Sequence, residues 1–136
     1  FAFLAPVFIQ VALTFGLIWW LGMMRTIALR SGAVAPRDIA LREPNWPRQL
    51  LQVQNAFHNQ LELPVLFYVA MLLALLTGHP TLGIAILAWL FAVSRLFHAL
   101  IHVTTNDVRR RGPAFGVGLV MVTLIWILLA IELFAA

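Results

Sequence analysis

Two rows of polar side chains lie inside apolar stretches of this 136-residue chain, and they are its best candidates for binding or chemistry. The first row is Asn55, His58, Asn59 and Glu62, and the second is Arg95, His98 and His102, extended by Asn106. Spacings of three, four and seven residues put side chains on one face of a helix. Two matched rows predict a polar cavity between two helices, although polar contacts that only hold the helices together are the simpler alternative.

The depth of two charged residues can be compared by counting from the uncharged turn at residues 77–80. At roughly 1.5 Å per helical residue, Glu62 and Arg95 both lie about 20 Å from that turn. An isolated charge at such a depth in a membrane is expensive, so opposite charges should pair or face water. We therefore predict an ion pair between Glu62 and Arg95, within one subunit or between two, with the rest of the two rows facing each other level by level.

The two histidines of the second row could also serve as metal ligands. His98 and His102 are four residues apart, so they lie on the same helical face. With His58 or Glu62 as a further ligand, they could in principle hold zinc or a haem. Since no recognised metal-binding motif accompanies them, we predict no metal site.

Four apolar stretches must carry these rows, because a spanning helix needs about 20 mostly apolar residues. Residues 1–24, 49–76, 82–104 and 114–135 meet this requirement. They predict an all-α membrane protein with four transmembrane helices in an up-down bundle, and one domain over residues 1–136. In the second span, Pro64 cannot donate to the carbonyl of Gln60, which predicts a bend beside the first polar row.

The composition excludes several classes of protein. The chain is 62% hydrophobic and 10% charged, with a mean hydropathy of +0.95, whereas a soluble domain carries about 25% charged residues. It has no cysteine, which excludes disulfides, thiolate metal sites and cysteine nucleophiles. The formal net charge is +4, but the arginines are grouped between the spans and form no single basic face, so we expect no nucleic-acid partner.

The distribution of arginine predicts the orientation. Residues 25–48 hold five arginines and residues 106–113 hold three, whereas the turn at residues 77–80 has none. In an up-down bundle the first and third loops share one side, and the positive-inside rule places that side in the cytoplasm. We therefore predict both basic loops in the cytoplasm and both termini on the opposite side. The first loop could also touch anionic lipid headgroups.

Residues 55–64, followed by an aromatic-rich run, resemble the second-helix signature of the MAPEG family, the membrane-associated proteins of eicosanoid and glutathione metabolism. That signature has Asn and Glu three residues apart and then Pro, matched here by Asn59, Glu62 and Pro64. Residues 95–111 resemble the third helix of the family and its basic exit. The four spans, the long basic first loop and the predicted orientation agree, so the resemblance covers nearly the whole chain.

The resemblance implies a homotrimer with glutathione bound between neighbouring subunits, near the cytoplasmic side. By position, Asn59 and Glu62 would bind the tripeptide and Arg95 would support Glu62. Arg25 matches an arginine that contacts the ligand, and His98 stands where prostaglandin E synthase also has histidine.

The resemblance also implies how the thiol would be activated. An arginine near the cytoplasmic side maps to Arg109 or Arg111, and a cationic guanidinium favours the reactive thiolate. Asn55, His58 and His102 complete the predicted ligand-binding set.

The chain departs from the glutathione-binding members in two ways. Those members carry arginine at one of the positions of Asn55 and His58, and tyrosine at that of His102. A bidentate guanidinium captures a carboxylate more strongly than an amide or imidazole does. We predict a glutathione-dependent transferase, peroxidase or isomerase acting on lipophilic substrates within the membrane. The alternatives are a non-catalytic lipid-binding or scaffolding trimer and an accessory subunit of a larger membrane complex.

Overall fold

The computed structural model describes residues 2–135, and all regular structure in that range is helical. Five α-helices follow one another: α1 (Ala5–Arg30), α2 (Arg48–Asn59), α3 (Leu63–Leu76), α4 (Leu82–Val103) and α5 (Val108–Phe134). A short 3₁₀ turn, Pro36–Asp38, lies in the first loop. Residues 1 and 136, the two ends of the predicted domain, lie outside the described range.

Four segments are long and apolar enough to cross a membrane, as predicted. They are Ala5–Arg30, Arg48–Leu76, Leu82–Val103 and Val108–Phe134. The third matches its predicted bounds within one residue, because Thr81 caps it by accepting a hydrogen bond from the N–H of Ile84.

Two predicted loop boundaries are wrong, in each case because arginines extend a helix beyond its apolar part. The first helix continues through Arg25 to Arg30, since arginine is a good helix former, and it stops before Gly32, which has a φ of +76°. The fourth span begins at Val108, where the carboxylate of Asp107 accepts from the N–H of Arg109 at 3.0 Å. Arg109 and the two arginines that follow it therefore lie in the first turn of α5, where we had expected a loop.

The second span is interrupted between α2 and α3. Residues 60–62 form a turn, in which the N–H groups of Gln60 and Leu61 bind the carbonyls of Phe57 and His58 at 2.9 and 3.0 Å. Pro64 stands in the first turn of α3, where its missing N–H is tolerated. The predicted bend is thus confirmed, and it is a full break in the helix.

The break separates two apolar cores. The core at the uncharged end joins α3, α4 and α5 through side chains such as Phe67, Phe91 and Ile125. The core at the basic end joins α1 and α2 through side chains such as Leu21 and Val53. A polar layer lies between them at the level of the break.

Both basic stretches lie at the same end of the bundle. The side chain of Gln52, in the first turns of α2, donates to the carbonyl of Thr104 just after α4 at 3.2 Å. This contact brings the end of the first loop beside the start of the third, as expected for an up-down bundle.

Candidate functional site

Arg95 is the centre of the polar layer. It lies on α4 with 0% of its surface exposed, and its Nη2 donates to the carbonyl oxygen of Asn59 at 3.3 Å. Its guanidinium carbon lies 5.7 Å from the centre of the Phe115 ring. The carbonyls at the end of α2 carry partial negative charge, so the cation stabilises that helix end at the break.

The predicted ion pair between Glu62 and Arg95 does not form within one chain. In residues 2–135 the carboxylate–guanidinium pairs are Arg37–Asp38 and Arg110–Asp107, both at the basic end. Glu62 lies beyond the end of α2 and its side chain is exposed. The prediction assumed a continuous helix, and the break between α2 and α3 ends the helical register on which the pairing was based. An ion pair between two subunits stays a prediction.

The histidines of α4 are closed off inside the subunit. His98 and His102 are 2% and 5% exposed, and their ring centres are 5.6 Å apart in an edge-on arrangement. His98 also lies 5.8 Å from the ring centre of Phe115. The Nδ1 atoms of both rings lack a hydrogen-bond partner within the described part of the chain.

The two polar rows do not face each other, which corrects the prediction of a shared cavity within one subunit. The inward face of α2 carries Leu50, Val53 and Ala56, which pack in the core at the basic end. Asn55 and His58 are exposed on other faces. Burial of the apolar face against α1 determines how α2 is rotated.

A basic pocket lies between the end of α1, the first loop and α2. It has a volume of about 350 Å³ and is lined by Arg25, Ile39, Arg42, Trp46, Gln54 and His58. Arg25 donates from Nη2 to Oε1 of Gln54 at 2.7 Å, and its guanidinium carbon lies 5.5 Å from the centre of the Trp46 ring. Two guanidinium groups, an imidazole and an indole could bind an organic anion.

The two candidate thiol-activating arginines lie in the first turn of α5, outside the residues that line this pocket. Arg109 is exposed. Arg111 donates from Nη1 to the side-chain oxygen of Asn106, which has a φ of +52°. Asn106 therefore binds Arg111 instead of extending the row of α4.

The carboxylates and imidazoles that the structure describes do not gather into a metal site. Within residues 2–135, no group of three or more His, Cys, Asp or Glu side chains is placed to share a metal ion.

Sequence reasoning missed a buried pair of amides at the helix break. Gln10 of α1 and Gln60 are each 1% exposed. Gln10 donates from Nε2 to Oε1 of Gln60. The Nε2 of Gln60 donates in turn to the carbonyl of Ala56 at 2.9 Å. An amide inside an apolar span usually binds another helix, and that signal could have identified Gln10. Arg42, Trp46 and Gln54 were also missed, because their grouping depends on the path of the first loop.

One of three comparisons with known proteins gives a match. A family model described as the MAPEG family matches residues 3–131. No curated protein and no solved structure gives a significant match.

Proposed function

Because this chain belongs to the MAPEG family and has four helices able to span a membrane, we propose that it is a multi-pass membrane enzyme that uses glutathione. It would transfer glutathione to lipophilic substrates that reach it through the bilayer, or reduce or isomerise them. The basic loops would lie in the cytoplasm, where the anionic cosubstrate is dissolved, with both termini on the opposite side.

The basic pocket around Arg25 carries this proposal. Arg25 is held by Gln54 and by the face of Trp46, so its guanidinium is oriented before a ligand arrives. The pocket lies at the basic end of the bundle, on the side proposed to face the cytoplasm. A tripeptide with two carboxylates suits such a site.

The exposed polar residues of the second span support an assembly of several chains. Asn55 and Glu62 are exposed in a segment that spans the membrane, and facing lipid there would be costly. We propose that a neighbouring subunit of a homotrimer covers them and completes the glutathione site. In that site Asn59 and Glu62 would bind the tripeptide, and Arg109 or Arg111 would stabilise its thiolate.

Arg95, His98 and His102 would then act from inside the subunit. Arg95 holds the carbonyl of Asn59, so it supports the helix end that carries the ligand-binding residues. His98 packs against His102 and Phe115, where the two histidines would stabilise the same arrangement.

One observation favours a non-catalytic scaffolding or lipid-binding trimer, or an accessory subunit of a larger complex. The polar row of α4 is buried within the subunit, as expected if its role is to hold helices together. This alternative predicts that glutathione is neither bound nor consumed.

Calorimetric titration of the purified protein with millimolar glutathione tests the proposal. We expect binding that Arg25→Gln weakens roughly tenfold or more, because a charge-assisted hydrogen bond is lost. Arg30→Gln, an exposed arginine at the end of the same helix, is the matched control and should bind normally. A well-folded protein that binds no glutathione would refute the proposal. Binding without turnover of any lipophilic electrophile would refute the enzyme activity and leave only the glutathione site.

A further inference from the structure

We propose that Arg42, on the first loop, is the second cation of the basic pocket and makes it a site for ligands with two carboxylates. This inference deepens the proposed function, since glutathione is such a ligand. It concerns a residue outside the two polar rows.

Arg25 has only part of its donor capacity in use. Nη2 is bound to Gln54, whereas Nε is buried and finds no partner among the described residues. A buried donor without a partner is costly, so a shift of the guanidinium that brings this edge to an acceptor in the pocket would be favourable. A carboxylate is the acceptor that best matches it.

Arg42 is brought to the pocket by a constrained loop. Its φ is +65°, a left-handed conformation that is unfavourable for residues other than glycine. The loop holds it there: Arg42 donates from its N–H to the carbonyl of Ile39 at 3.2 Å, and the side chain of Asn45 donates to the carbonyl of Asp38 at 2.6 Å. Backbone strain retained in this way is typical of functional positions.

Among residues 2–135, the nearby acidic residues form no ion pair with either of the two cations. Glu43 accepts the N–H of Leu41 at 3.0 Å through Oε1, and within residues 2–135 it forms no ion pair with Arg25 or Arg42. Asp38 pairs with Arg37 at 3.9 Å, at an exposed position. From α2 the pocket receives Gln54 and His58, which provide hydrogen bonds but no guanidinium.

Two like charges in a pocket of about 350 Å³ repel each other, and one carboxylate compensates only one of them. A ligand with two carboxylates compensates both and gains a charge-assisted hydrogen bond from each guanidinium. The pocket is therefore selective for ligands with two carboxylates over ligands of similar size with one.

The test compares Arg42→Gln with Arg37→Gln, an arginine of the same loop that does not line the pocket. Both proteins are first checked for an unchanged melting temperature and oligomeric state. Titration with glutathione should show affinity reduced about ten- to a hundredfold in R42Q and unchanged in R37Q. Equal affinity in the two variants would overturn the role of Arg42 while leaving glutathione use intact.

Glutathione monoethyl ester, which lacks the glycyl carboxylate, tests the selectivity. The wild-type protein should bind the ester about tenfold or more weakly than glutathione. That difference should disappear in R42Q or in R25Q, according to which arginine binds the glycyl end. A difference that persists in both variants would refute the two-carboxylate site.

Glutarate separates failure of this inference from failure of the proposed function. If the wild-type protein binds no glutathione but binds glutarate, and R42Q does not, the dicarboxylate site stands without the glutathione enzyme. If neither compound binds to the folded protein, both proposals are wrong.

Discussion

The guanidinium of Arg95 binds the backbone carbonyl of Asn59 at 3.3 Å, and among residues 2–135 it forms no ion pair with the carboxylate of Glu62. The predicted ion pair is thus replaced by a contact between a cation and the end of a helix. This relationship makes Arg95 a support for the break in the second span and leaves Glu62 available to a ligand or to another subunit.

Substitutions at these two residues should differ in their effect on stability. Arg95→Lys keeps the buried charge but loses the planar donor, so we expect it to lower the free energy of unfolding by about 1.5–3 kcal/mol. Arg95→Met removes the buried charge as well, so it should lower the free energy of unfolding less than Arg95→Lys does. Glu62→Gln should have little effect. Unfolding in detergent would measure all three, and a loss for Glu62→Gln as large as that for Arg95→Lys would indicate an ion pair between subunits.

Gly118 allows α5 to approach α4 beside Arg95. A Cβ atom at this position would lie 3.1 Å from Oγ of Ser94 and 3.5 Å from Cδ of Arg95. We expect Gly118→Ala to destabilise the protein by about 1–3 kcal/mol through overpacking.

Two variants make that measurement specific. Gly116→Ala is the matched control, because among the described residues no atom lies within 4 Å of its added Cβ. Ser94→Ala combined with Gly118→Ala should recover part of the loss, since it removes the closest atom. If both glycine variants are equally destabilised, a general effect on α5 is responsible and contact with Ser94 is not.

The sequence was sufficient to predict the spans but not the rotation of α2. Hydropathy determines where a span lies, and Leu82–Val103 was therefore predicted within one residue. The prediction that Asn55 and Glu62 lie on the same face of the second helix rested on helical spacing alone. That spacing ends with the helix at Asn59, and the apolar face through Val53 decides which side of α2 is buried.

The basic pocket could not be predicted for a different reason. Arg25, Arg42 and Gln54 are far apart in sequence and meet only through the fold of the first loop. No periodic pattern relates residues of a loop to those of a helix. A single polar residue in an apolar span, such as Gln10, is the kind of signal that sequence does offer.

The amides of Gln10 and Gln60 should be energetically coupled. Gln10→Leu leaves the buried Oε1 of Gln60 without its donor, which should cost about 1–3 kcal/mol. The double variant Gln10→Leu with Gln60→Leu should be more stable than the sum of the single losses implies, because both polar groups are then removed. A double-mutant cycle in detergent measures this coupling. Additive losses would show that the two amides act independently.

Pro64 should control both the break and the position of Glu62. Pro64→Ala restores an N–H that can donate to the carbonyl of Gln60, so we expect residues 60–64 to become more helical. The carboxylate of Glu62 would then rotate with the extended helix, and glutathione binding should weaken about tenfold, as for the loss of one charge-assisted hydrogen bond. Amide hydrogen exchange of residues 60–65 and calorimetric titration measure the two effects. Pro80→Ala, in the turn before α4, is the matched control and should change neither. If Pro64→Ala increases amide protection at the break but binds glutathione as tightly as the wild type, the interruption is a packing feature and does not position the ligand.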